Sequence, residues 1–95
     1  MARPYNRQQM IEALQRAYPN QHIKTSEEFG DSYQGGIWLS GEDGTEDRSG
    51  LPIFDYNAEG SNYEFGVVKH LNAYVQRHGW YFEWYDGGTM MMWLD

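Results

Sequence analysis

Ninety-five residues carry 14 Asp and Glu against 7 Lys and Arg, a formal charge of −7, with 40% hydrophobic residues, 17% aromatic residues and no cysteine. That length predicts one domain over residues 1–95 and argues against a two-domain enzyme, while the missing cysteine excludes a disulfide framework and a thiolate metal site and fits a reducing cytoplasm. The acidic balance argues against direct binding to nucleic acid phosphates. No stretch nears the ~20 apolar residues of a membrane span, and the opening residues lack a signal-peptide core, so a soluble cytoplasmic chain is expected.

The first periodic segment, about Arg7 to Tyr18, spaces Met10, Ile11, Leu14, Ala17 and Tyr18 as one helical stripe. Asn6 stands at the N-cap with Gln9 at the capping-box position, Tyr5 and Met10 are placed for a hydrophobic staple, and Pro19 stops the helix. His22–Phe29 and Gly36–Gly41 then read as two antiparallel strands, with turn chemistry at Gly30-Asp31-Ser32 and Gly35-Gly36. The polar run from Gly41 to Gly50 reads as a surface loop, and Leu51–Tyr56 as a third strand, with Pro52 marking a sheet edge or strand entry.

Ser61 and Glu64 match a capping box ahead of Phe65, Val68, Leu71 and Val75, a stripe widened by Val67 and Tyr74, which predicts a second helix over about Asn62 to His78. Gly79 would end it in a left-handed conformation, with Trp80 against Val75. The chain closes on a β-hairpin: Trp80–Tyr85, a turn at Asp86-Gly87-Gly88, then Thr89–Leu94. The order α-β-β-β-α-β-β predicts an α+β two-layer sandwich, both helices on one face of a mostly antiparallel sheet of about five strands. The other face is then uncovered, and Trp38, Tyr81, Tyr85 and Trp93 are expected on it.

The acidic surplus is local. Residues 27–64 hold ten carboxylates against Arg48 alone, and the N-terminal segment is mildly basic. Such a block either solvates a loop or meets a basic partner, since rows of carboxylates imitate phosphates electrostatically. Its acids resemble no EF-hand order, His22, His70 and His78 have no metal-ligand spacing, and no nucleotide loop is present, so no metal or cofactor is expected. Ser40, His22 or His70, and Asp55 could be named for a hydrolase, but their spacing does not recommend them, and an enzyme is not expected. Trp, Tyr and Met are enriched in interface cores, and the C-terminal hairpin is dense in them: either it is the central pair of strands and these rings are the core itself, or they form a binding surface, and both hold if one face points in and the other out.

The expected function is a small non-catalytic binding protein. Its contact residues are Glu42, Asp43, Glu46, Asp47, Asp55 and Glu59 of the acidic block with the aromatics Trp38, Tyr81, Tyr85 and Trp93, and its partner is a protein with a basic surface. In composition alone the chain is similar to many phage-encoded or mobile-element accessory proteins, including inhibitors that occlude a nucleic-acid site on a host protein. That similarity implies action in the host cytoplasm on a protein, with no membrane and no nucleic acid bound directly. The alternative is a self-associating structural or adaptor protein that forms a homodimer through its aromatic hairpin. A small hydrolase or metal-binding enzyme stands third.

Overall fold

A computed structural model describes residues 3–58 and 60–95. Helix α1 spans Arg7–Ala17 and opens on the expected box: the Asn6 side chain accepts from the Gln9 N–H at 2.8 Å while the Gln9 side chain accepts from the Asn6 N–H at 2.9 Å. Four antiparallel strands form the main sheet, β1 (Ile23–Thr25), β2 (Ile37–Ser40), β5 (Trp80–Asp86) and β6 (Thr89–Leu94), in the order β1-β2-β6-β5. Between β2 and β5 come a two-stranded ladder of β3 (Tyr63–Glu64) and β4 (Val67–Val68), then helix α2 (Lys69–Arg77). The class is α+β, as the sequence predicts, with both helices on one face of the sheet. Among the described residues, no helix is long and apolar enough to cross a membrane.

Three elements differ from expectation. The first strand ends at Thr25, because Ser26–Glu28 form a 3-10 turn whose Glu28 carboxylate accepts from the Thr25 N–H at 3.3 Å. The segment 51–56 forms no strand of the main sheet. It makes bridges instead, with Pro52 opposite Glu46 and Phe54 opposite Val67.

The second helix begins at Lys69, not near Asn62. A helix through this stretch would carry Gly66 in its first turns at a propensity cost of ~1 kcal/mol. The chain instead turns at Phe65-Gly66 and buries the β-branched pair Val67 and Val68 in the core, with the Val68 N–H donating to the Ile53 carbonyl at 3.0 Å. A side chain at Gly66 would stand 2.8 Å from the Asp55 carbonyl oxygen, so the turn admits only glycine there. The end of α2 follows the sequence reading, with Gly79 at φ +89.

One face of the sheet is the core. Leu39, Met90, Ile37, Met92, Phe82 and Trp80 pack beneath Met10, Ile11 and Leu14 of α1 and Leu71 and Val75 of α2. Trp80 is fully buried, and its indole N–H donates to the Tyr5 carbonyl at 2.9 Å, tying the chain ahead of α1 to the hairpin. Truncating such a residue to alanine costs about 3–5 kcal/mol.

Candidate functional site

Alternation along the strands carries Trp38, Tyr81 and Trp93 to the face away from the helices, together with Lys24, Met91 and Glu83. Tyr85 joins them at an irregularity between Trp84 and Asp86 that leaves it without a cross-strand partner. All four expected aromatics therefore share this face. It is not bare, however: the segment 26–36 folds back over it. Phe29 lies edge-on to Trp38 and Tyr85, with centroids 5.2 and 4.8 Å away, and Tyr33 meets Tyr85 at 5.8 Å. Met91 beneath them is 1% exposed.

Four side-chain contacts hold that segment. The Arg7 guanidinium reaches Glu27 at 2.6 Å and the Gly36 carbonyl at 3.2 Å, and the buried Ser26 hydroxyl accepts from the Gly36 N–H at 2.9 Å. Glu27 also accepts from the Gly35 N–H at 3.0 Å, and this bond leads the causes that hold its carboxyl below the ordinary range. The Trp93 indole N–H donates to Glu83 at 3.0 Å, fixing a ring and a carboxylate together on the open part of the face. Tyr81 and Tyr85 remain 39% and 50% exposed.

The acidic loop starts at the hairpin end of this sheet, where the Gly41 N–H donates to the Gly88 carbonyl at 2.9 Å. Asp43 accepts from the His22 N–H at 2.7 Å, and the His22 ring stands edge-on to Trp38 with centroids 4.7 Å apart. Carboxylates and aromatic face therefore adjoin at His22, whose Nε2 is buried without a hydrogen-bond partner among the described residues. Glu42, Asp43 and Glu46 are exposed. Asp55, also exposed, accepts from the Asn57 N–H in a turn of its own, away from the sheet face. Glu59 lies outside the described residues.

Asp47 differs from its neighbours. One carboxylate oxygen accepts from the Ser49 hydroxyl at 2.6 Å and from the Ser49 and Leu51 N–H groups, and the other meets His70 Nε2 at 2.9 Å. Its side chain is 6% exposed, so it shapes the loop and is not presented to a partner. The Ser49 hydroxyl bond, with His70 and the two N–H groups, holds its carboxyl far below the ordinary range against the opposing effect of burial. In a Ser-His-Asp triad the imidazole stands between hydroxyl and carboxylate; here the carboxylate stands between, and the Ser49 hydroxyl donates to it and not to the His70 ring. The pair borders a groove of about 680 Å³ between the loop and the helix layer, lined also by Arg16, Tyr18 and Arg48.

No family model, curated protein or solved structure matches this chain. Among the described residues the side chains of Ser40, His22 and Asp55 share no hydrogen bond, although the Ser40 N–H donates to the His22 carbonyl at 3.4 Å: the Ser40 hydroxyl accepts from the Glu42 N–H, and Asp55 serves its own turn. Nor does any group of three or more His, Asp or Glu converge with metal-ligand geometry among them. His78 stacks on Tyr5 with centroids 3.8 Å apart and holds the Arg3 carbonyl through Nδ1 at 2.6 Å.

Sequence reasoning placed Glu83 with Tyr81 and Tyr85 on one strand face but missed Phe29, Tyr33 and His22 as members of the aromatic face. One signal pointed to Phe29 and Tyr33, which flank the turn at Gly30-Asp31-Ser32.

Proposed function

We propose that this is a small non-catalytic binding protein whose aromatic sheet face, edged by Glu42, Asp43 and Glu83, seats a protein partner with a basic surface. The observation that carries the reading is the junction at His22: one residue is bonded to an acid of the loop and packed on a ring of the face. Exposed Tyr81 and Tyr85, beside the half-buried Trp38 and Trp93, supply contact area at low entropic cost, and the carboxylates at their margin steer a basic surface toward them. A partner whose basic surface itself binds nucleic acid would be occluded by such a contact, in a phage or mobile-element setting within the host cytoplasm. The position of Asp47 between Ser49 and His70 supports a role without catalysis.

The test is capture from host lysate with Glu42, Asp43 and Glu46 neutralised together and Asp47 left intact. The captured partner should be lost from the variant and released from the wild type by moderate salt. Unchanged capture would remove the acidic margin from the reading.

A second reading is self-association. It is favoured by β5, a seven-residue strand at the sheet edge, whose outer side offers a template for pairing with its twin. Sedimentation velocity across a dilution series separates the two, since an aromatic homodimer persists at high salt and dissociates on dilution.

A further inference from the structure

Among the described residues, Phe65 is the one non-glycine residue with a positive φ, at +36, and Gly66 follows at +82. Two successive positive φ values in the tight turn between β3 and β4 are the pattern that Asn-Gly satisfies without strain; a bulky aromatic satisfies it poorly. The ring gains nothing from the core, standing 54% exposed. Nor does the fold need that side chain, for it is the Phe65 main-chain oxygen that accepts the Trp84 indole N–H at 2.6 Å, and any residue offers that oxygen.

Tyr56, also 54% exposed, stands edge-on to the same Trp84 with centroids 5.1 Å apart. Each aromatic has a carboxylate beside it in the chain, Asp55 before Tyr56 and Glu64 before Phe65. Glu64 is exposed, and exposed Asp55 is bonded through its N–H to the Gly66 carbonyl at 2.8 Å.

The geometry points to Phe65 as a docking knob: its ring, exposed at the tip of a turn that shares Trp84 with Tyr56 and has Glu64 and Asp55 as main-chain neighbours, fits an apolar pocket with a basic rim on a protein partner. The inference rests on the reading of a basic partner above and adds a second contact element, on the helix-bearing side of the sheet. A strained, exposed aromatic is retained where contact outside the chain rewards it. The charges beside it choose a cationic rim over a neutral one.

Phe65→Asn tests this, because asparagine is the residue the turn prefers. The variant should melt higher than the wild type by roughly 4 °C or more, since it relieves the backbone while removing only an exposed ring. A defined probe is β-cyclodextrin with a rim of primary ammonium groups, an apolar cavity edged by cations. In NMR titrations the wild-type Phe65 ring signals should shift, with affinity roughly fivefold above that for neutral β-cyclodextrin at low ionic strength. Phe65→Asn should lose that preference, and Tyr81→Ala should keep it. A lower melting temperature for Phe65→Asn would make the ring a packing residue and overturn the proposal. So would equal binding of the charged and neutral probes, or a dimer in sedimentation that Phe65→Asn abolishes, which would make a second copy the occupant. A Phe65→Asn protein that retains the partner fully while Tyr81→Ala loses it would overturn the knob and leave the sheet-face reading standing.

Discussion

The main-chain N–H of His22 donates to the Asp43 carboxylate at 2.7 Å, and through this bond the acidic loop is fastened to the strand edge on which Trp38 is packed. Charge and aromatic surface, separate in sequence, become one margin. Asp43→Asn keeps an oxygen for His22 and removes the charge; Asp43→Ala removes both. Partner association should slow in each variant, whereas amide exchange at His22 should quicken only in Asp43→Ala, as hydrogen-exchange mass spectrometry would read. Equal association rates across wild type and both variants would detach Asp43 from recognition.

Tyr81 should separate binding from folding. Its ring is 39% exposed and lies outside the core cluster, so Tyr81→Ala should change the melting temperature little. A central aromatic anchor costs about 2 kcal/mol or more of binding energy when truncated. Calorimetry with the captured partner should show at least that loss.

Asp47 sets a pH dependence. Its folded carboxyl is held far below the ordinary range, led by the Ser49 hydroxyl, so the stability it contributes is present at neutral pH and is lost as pH falls through and below that range. Asp47→Ala leaves the Ser49 and Leu51 N–H groups without their acceptor and should cost about 1–3 kcal/mol at neutral pH. Its stability curve between about pH 2 and pH 5 should also be flatter than that of the wild type. Denaturant melts at a series of pH values would show both.

Glu27 governs the cover over Met91. Because its carboxyl is also lowered, first by the Gly35 N–H, its hold on the segment 26–36 is complete at neutral pH and weakens as acid protonates it. Glu27→Gln should raise amide exchange across that segment and quicken peroxide oxidation of Met91, with the helices unchanged. Peptide-resolved mass spectrometry reads both effects.

The helices and the hairpin show how far sequence carried. Asn6 with Gln9, and the β-rich runs on either side of Gly87-Gly88, are local signals, and the structure uses them as the sequence predicts. Ser61 and Glu64 carry an equally good local signal that tertiary structure overrides, because Val67 and Val68 gain more from a ladder and a dry core than from a helix interrupted by Gly66. Phe65 was thereby moved from a helical stripe to an exposed turn. The four aromatics of the sheet face were legible from period-two alternation. Their cover was not, since the 3-10 turn at Ser26–Glu28 depends on Arg7 and Gly36, both distant in sequence from Glu27.

The most direct test of the proposed docking surface is a hydrogen-exchange footprint of the partner complex against the free chain. The account predicts slowed exchange in residues 22–38, at Glu42 and Asp43, and in β5, with α1 and α2 unchanged. Protection confined to the two helices, with the aromatic face exchanging as in the free chain, would contradict it.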